Sequence, residues 1–336
     1  MTAAPSYLIV GAGIFGVSTA YHLLKQHPRA SITLVDRDAH DAERRVAASW
    51  DWNKVMRADY DDPTYCALAL EAQDVFTGGG DDDGLWRPHF HQTGLYWMCG
   101  REILAGGITT GMTRLAGHAA VARFANMPVG IQGYTAAKGP FVGSLPPTRD
   151  NELKWWGQKI FRNTTEVLPG RFISAPPPDA DYAQWAVSDR LKEDILAVSS
   201  VFYGPHVTRD WTFVKHRVCW LYTLLARNPF FLLRDFEVPD ESWPWGRDAF
   251  TTSSDFIISP HAAAEGLYVA TCGSFHGFKF FPIIGKYVVQ MLEGTLSREL
   301  ADKWAWDRER PDPAANPDWP SVEMRELLDG ARTSRL

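Results

Sequence analysis

The tightest constraint on what this chain can fold into lies in its first forty residues. Residues 7–10 are a short apolar run, Gly11-Ala12-Gly13-Ile14-Phe15-Gly16 follows directly, and a helical pattern over 15–26 is stopped by His27-Pro28. A second apolar run over 31–35 ends at Asp36, twenty residues beyond Gly16. In such a unit Gly11 permits a tight turn, Gly13 lets the backbone approach a diphosphate, and Gly16 lets the helix pack close to the strand. The helix start offers N–H groups and positive potential to phosphates, and Asp36 can accept from ribose hydroxyls. Strand, turn, helix and acid together predict a dinucleotide-binding βαβ unit of an α/β, Rossmann-like domain. A glycine turn without a ligand is the alternative, and the motif alone does not separate FAD from NAD.

The chain has 336 residues, room for about two domains. Its 45% hydrophobic and 22% charged residues are those of an ordinary globular protein, and no apolar run nears the roughly 18 residues of a membrane-spanning helix, so no membrane partner is expected. A formal charge of −6 leaves no basic surface for a polyanion, so nucleic acid is not expected and a small-molecule substrate is. Cys66, Cys99, Cys219 and Cys272 are widely spaced, which points to neither a disulfide framework nor a zinc site. His89-Phe90-His91 lacks a third ligand at supporting spacing and is read as loop packing, so no metal is expected. Met1-Thr2-Ala3-Ala4-Pro5 has no leader character. Ser334-Arg335-Leu336 is a variant of the Ser-Lys-Leu address, so the expected location is peroxisome or cytoplasm, with a peroxisomal import receptor as a partner.

Further along, a helix is expected over 63–76, with Tyr65, Leu68, Ala69, Ala72, Val75 and Phe76 on one face. The acidic loop over 78–84 reads as a linker, a helix is expected over 189–202, and strands over 255–258 and 266–272. A last long helix over 282–292 has Ile283, Ile284, Tyr287, Val288, Met291 and Leu292 on one stripe before a Gly294 stop. The mixed, Pro-rich segment between suits a second, α+β substrate domain. The expected division is 1–100 with 248–336 as the cofactor domain, 101–220 as the substrate domain, and 221–247 as an insertion.

Two stretches carry a resemblance. Residues 48–60, from Ala48-Ser49-Trp50 through Lys54 and Arg57 to Tyr60, and residues 273–286, Gly273-Ser274-Phe275-His276-Gly277-Phe278-Lys279-Phe280-Phe281-Pro282-Ile283-Ile284-Gly285-Lys286, resemble the D-amino-acid oxidase superfamily. They are most similar to its sarcosine oxidase, fructosyl-amino-acid oxidase and saccharopine or pipecolate oxidase branch. Glu152-Leu153-Lys154 and His216-Arg217-Val218-Cys219-Trp220 fit the same branch. The resemblance implies FAD, held by Gly11, Gly13, Ile14, Phe15, Gly16, Asp36, Arg37, Ser49, Lys54, Gly273, Phe275, His276, Gly277 and Lys279. It implies a covalent bond from Cys219 to the flavin, with a purely packing cysteine as the alternative. Arg57 and Lys279 match the pair that clamps a substrate carboxylate, and Lys154 the lysine beside flavin N5 that stabilises superoxide, with a surface lysine as its alternative. His276 is expected to touch flavin rather than act as a base. The implied activity is oxidation of a small secondary amine or N-substituted amino acid by O2, giving an imine and hydrogen peroxide.

Two departures from the family pattern bear on this expectation. A long middle segment is missing between residues 97–99 and 105–108, which should leave the βαβ unit with uncovered apolar surface and strand edges. Residues 221–247 have no counterpart. An NAD-dependent dehydrogenase and an inactive flavoprotein remnant are therefore kept as alternatives.

Overall fold

The computed structural model describes residues 4–41, 48–49, 53–60, 62–80, 84–98, 109–115, 118–132, 142–157, 160–162, 164–169, 171–174, 189–204, 208, 211, 213–218, 221–223, 248–251, 253–274, 276–308 and 321–323. The chain forms two compact units, Met1–His91 with Leu221–Pro313, and Gln92–Trp220 with Ala314–Leu336. These edges differ from the expected ones: 92–100 and 314–336 fall in the second unit, and 221–247 belong to the first.

The first unit opens with strand β1 (Ser6–Val10), helix α1 (Ile14–Gln26) and strand β2 (Ser31–Val35). β1 and β2 are parallel, with Ser6 opposite Ser31 and Val10 opposite Val35. Among the described residues their sheet has only these two strands. Helix α2 (Pro63–Thr77) starts where its sequence says it should: Asp62 accepts from the Thr64 and Tyr65 N–H groups at 2.9 and 3.2 Å, and Pro63 occupies the first turn. It stops at Gly78, whose φ of 93° is left-handed.

The chain then builds the second unit. Strands β3 (Leu95–Met98), β4 (Thr109–Arg114), β5 (Val129–Gln132), β6 (Gly143–Leu145) and β7 (Glu152–Trp156) are followed by helix α3 (Asp189–Tyr203) and strand β8 (Lys215–Val218). They form one six-stranded sheet in the order β8-β4-β7-β6-β5-β3. Central strand β7 buries Glu152, Leu153, Lys154 and Trp155 in succession, so both of its faces are covered. Leu153 and Trp155 pack with Ile195 of α3, and the Trp155 Nε1–H donates to the Ile195 carbonyl at 2.7 Å.

On returning to the first unit the chain adds strands β9 (Ile257–Pro260) and β10 (Tyr268–Thr271), then helices α4 (Ile284–Leu292) and α5 (Arg298–Lys303). β9 starts two residues later than expected and pairs with β10 as an antiparallel hairpin, which among the described residues is a sheet of two strands. A 3₁₀ turn over Gly277–Phe280 comes before α4, which therefore begins at Ile284 rather than at 282. Burial follows the expected stripes. All six named α2 residues are buried, and Tyr65, Leu68, Ala69, Ala72 and Val75 join Phe256, Ile258, Phe280, Ile283, Ile284, Val288, Met291 and Trp304 in one core, with Tyr287 and Leu292 at its margin. Each fully buried Val, Leu, Ile, Phe or Met among them contributes about 1.5–3 kcal/mol by leaving water.

α1 and α4 touch through backbone. A Cβ on Gly285 would collide with the Ser18 carbonyl, the Ser18 hydroxyl donates to the Phe281 carbonyl at 2.7 Å, and it accepts from the Gly285 N–H at 2.8 Å. The expected bareness of the βαβ unit is also present: Leu8 is 68% and Val10 80% exposed, with Leu34 and Val35 exposed beside them. No helix among the described residues is long and apolar enough to cross a membrane.

Candidate functional site

The glycine turn is the first part of the site. Gly11 has φ of 104°, and its N–H donates to the Val35 carbonyl at 2.7 Å, which ties the turn to the end of β2. Gly13 is the N-cap of α1 and supplies no side-chain cap, in contrast to Asp62 of α2 and Ser297 of α5. Apart from its chain neighbours, a Cβ built on Gly13 meets no described residue within 4 Å, so the backbone is open there, whereas one on Gly16 would strike the Gly11 carbonyl. Asp36 accepts from the Ala12 N–H at 2.5 Å and the Asp38 N–H at 3.0 Å. Arg37 pairs with Asp38 at 3.0 Å on the surface. Open backbone at Gly13, an uncapped helix start and a carboxylate at the end of β2 fit the diphosphate and ribose of a dinucleotide.

The second part is the Gly273–Gly277 loop. It lies directly against the first: a Cβ on Gly277 would come within 2.9 Å of Ile14 Cδ1, and one on Gly273 within 3.8 Å of the same atom. The loop is tightly wound. The His276 and Gly277 N–H groups both donate to the Gly273 carbonyl, and Cys272 and Ser274, on either side of Gly273, have φ of 62° and 47°. Two non-glycine residues in the left-handed region mark strain held by surrounding packing, a condition that clusters at functional sites.

Around this loop lies a packed group of rings and basic side chains. His276 stacks on Phe256 with centroids 4.9 Å apart and meets Tyr65 edge-on at 4.9 Å. Its Nε2 lies 2.8 Å from the Ser254 carbonyl and its Nδ1 3.1 Å from the Tyr60 hydroxyl. Lys279, 5% exposed, donates to the Tyr60 hydroxyl at 2.7 Å. Arg57 lies over the Tyr60 ring at 4.9 Å and pairs with the Asp59 carboxylate at 3.2 Å, while also donating to the Asp59 carbonyl.

Burial dominates the electrostatics. It lowers Lys279 well below the usual lysine range, helped by the nearby Arg57 charge. It lowers His276 to about 3, with the Lys279 charge acting in the same direction. It raises Tyr60, against the opposing effect of Arg57. The cluster therefore disfavours the charged forms of Lys279, His276 and Tyr60, and an arriving anion would find the Arg57 guanidinium and the Lys279 amine bordering one phenol ring.

The structure thus brings together Gly11, Gly13, Ile14, Phe15, Gly16, Asp36, Gly273, His276, Gly277, Arg57 and Lys279 within the first unit. Lys54 donates to the Ala48 carbonyl at 2.9 Å and lies over the Phe278 ring, and Ser49 is half-buried. Lys154 belongs to the second unit, buried on β7 opposite Met112 and Leu145. On the same strand, burial pushes the Glu152 carboxyl up, but hydrogen bonds from Lys215 and Arg114 outweigh it and hold the group below its usual value. Phe275 and Cys219 lie outside the described residues, as does Ser334-Arg335-Leu336. His89 and His91 are exposed, and the described residues contain no group of three metal-ligating side chains. Sequence reasoning missed Tyr60, Tyr65, Ser254 and Phe256. Tyr60 had a signal, lying three residues from Arg57 in the same stretch; Ser254 joins only through a backbone carbonyl, which leaves no mark in sequence.

Known proteins match part of the sequence and the fold. Residues 6–129 match the FAD dependent oxidoreductase family, DAO. The chain is 36% identical over 94 residues to L-saccharopine oxidase of Schizosaccharomyces pombe, covering 28% of this chain and 19% of that protein. It is also 36% identical over 96 residues to amino acid oxidase imqH of Aspergillus flavus, covering 26% and 20% respectively. Each of these matches spans only about a fifth of the relative. The fold is similar to that of a thermally stable fructosyl peptide oxidase mutant, with a TM-score of 0.70 and 16% identity over 96% of this chain and 98% of the other. It is also similar to fructosamine oxidase from Aspergillus fumigatus (Amadoriase II) in complex with FSA, with a TM-score of 0.69 and 16% identity over 97% of each chain.

Proposed function

We propose that this chain, whose residues 6–129 carry a domain of the FAD dependent oxidoreductase family, oxidises the C–N bond of a small secondary amine or N-substituted amino acid with O2, giving an imine and hydrogen peroxide. The observation that carries the reading is the contact of the Gly273–Gly277 loop with Ile14 at the start of α1, which sets a buried lysine and an arginine beside a dinucleotide-binding turn. When bound, FAD supplies the hydride acceptor and the route of electrons to oxygen. The glycine turn and α1 hold its diphosphate, and Asp36 its ribose. Arg57 and Lys279 receive the substrate carboxylate, which orients the α-carbon, and the packed rings of Tyr60, Tyr65, Phe256 and Phe280 exclude water from that end. In this reading Lys154 assists the reaction with oxygen, Cys219 bonds the flavin, and Ser334-Arg335-Leu336 directs the protein to peroxisomes.

The test is anaerobic addition of sarcosine, pipecolate, saccharopine or a fructosyl amino acid to the flavin-loaded protein. Bleaching by one of them is expected; no bleaching by any removes the substrate assignment. A second reading, an inactive flavoprotein remnant, is favoured by the exposure of Leu8 and Val10 on the strand that feeds the glycine turn. It requires that protein refolded with FAD remain colourless. The NAD-dependent alternative has no comparable support, since the matched family is defined by FAD.

A further inference from the structure

Lys279 poses a problem of charge. Its side chain is buried between the Tyr60 and Phe280 rings, with Nζ 5.1 and 5.8 Å from their centroids. Among the described residues its one hydrogen-bond acceptor is the Tyr60 hydroxyl, and no carboxylate lies within ion-pair distance of it. An ammonium there would leave N–H groups unsatisfied in a buried site, at a cost of several kcal/mol.

Tyr60 cannot relieve this as a phenolate, because the chain of hydrogen bonds runs in one direction. The Ser254 carbonyl only accepts, so His276 carries its hydrogen on Nε2 and presents a lone pair at Nδ1. The Tyr60 O–H donates to that lone pair and its oxygen accepts from Lys279. Every link is satisfied with a neutral imidazole, a neutral phenol and a neutral amine. Other charged groups nearby do not change the balance. Arg57 over Tyr60 opposes a second positive charge, Asp59 is paired with Arg57, and Asp62 and Asp255 are paired with Lys303. Lys54 is held on the Ala48 carbonyl, and Tyr65 accepts from the Phe256 N–H and Trp304 Nε1–H.

We propose that Tyr60 and His276 are positioning residues that keep Lys279 a neutral amine in the ligand-free protein, and that Lys279 then takes its proton from the ammonium of an arriving zwitterionic amino acid. The inference rests on the carboxylate-binding reading above. The substrate N–H bond breaks, the proton passes to the Lys279 Nζ lone pair, and the electron pair stays on the substrate nitrogen. Zwitterion and amine become amino-acid anion and ammonium, with no net change in charge. The new ammonium pairs with the substrate carboxylate, and the substrate is left as the free amine from which hydride departs most readily. Binding and activation are thereby one event.

The test uses FAD-loaded protein labelled with ¹³C at the lysine ε-carbon, with Lys279→Met to assign the resonance and Lys279→Arg as a second assignment variant. At about pH 8 the Lys279 signal is expected at the neutral-amine position in ligand-free protein. It should move to the charged position when cyclopentanecarboxylate, which has no amine, is added. Calorimetry in buffers of different ionisation enthalpy should then record uptake of about one proton per carboxylate bound. On dithionite-reduced protein, which cannot turn over, pipecolate should bind with no proton exchanged. His276→Asp, which ends the chain in an anion, should leave Lys279 charged before any ligand is added. A charged Lys279 in the free wild-type protein, with carboxylate binding intact and no proton uptake, overturns the proposal alone. Failure of cyclopentanecarboxylate to bind overturns both the proposal and the carboxylate assignment of Arg57 and Lys279.

Discussion

Two regions of the first unit meet at Ile14 and are built by opposite means. The glycine turn with β1 and β2 is made of backbone: its working groups are N–H donors, its contacts are local, and Val10 beside it is 80% exposed. The cluster around Lys279 is made of side chains drawn from positions 219 and 216 residues apart, and its rings are packed together. A backbone device tolerates a bare neighbourhood because its geometry is set by glycine spacing. A buried polar cluster does not, because each of its groups must be satisfied by a partner that only the complete fold supplies.

That contrast is open to substitution, and the largest effect is expected where the two regions are joined. Gly285→Val would drive a side chain into the Ser18 backbone carbonyl. It should separate α1 from α4 and cost roughly 4 kcal/mol or more, read as loss of the cooperative denaturation transition of the first unit.

Gly13→Val should do the reverse. Apart from its chain neighbours, no described residue lies within 4 Å of the added Cβ, so stability should change by less than about 1 kcal/mol. The same side chain fills the space a diphosphate needs, so FAD affinity should fall at least about tenfold, measured by flavin fluorescence on dilution. Equal loss of both properties would erase the distinction between the regions.

Acid should act on the cluster. His276 is lowered to about 3 from an unfolded value of 6.5, so between those limits the unfolded chain binds more protons than the folded one. The stability His276 contributes is therefore present above about pH 6.5 and is lost as pH falls toward 3, with a slope of at most about 1.4 kcal/mol per pH unit. His276→Asn should flatten that part of the profile in urea titrations. The smallest effect belongs to the bare strand: Val10→Thr should cost under about 0.5 kcal/mol, and a larger loss would mean that this face is covered in solution.

The same contrast explains what was legible in the sequence. The βαβ unit was, because strand, Gly11-x-Gly13-x-x-Gly16, helix and Asp36 are contiguous, and each residue's role follows from its own backbone. The stripes on α2 and α4 were, because burial repeats with the helical period. The start of α4 was misplaced because Gly277–Phe280 winds into a 3₁₀ turn before Pro282, and local apolar content does not distinguish the two windings. The two strands over 255–258 and 266–272 were legible, but not their antiparallel pairing as β9 and β10, since pairing partners are a tertiary property. Lys279 was legible only through resemblance, and Tyr60, Ser254 and Phe256 escaped as site residues because their significance lies in what they touch across the fold.

The most direct measurement is the visible absorbance spectrum of the purified protein, taken before and after acid precipitation. The expected result is the two-banded spectrum of oxidised flavin, remaining with the pellet if Cys219 bonds the cofactor and passing to the supernatant if it does not. A protein that stays colourless after refolding with excess FAD would contradict the assignment of the Gly11–Gly16 turn and the loop against it as a flavin site.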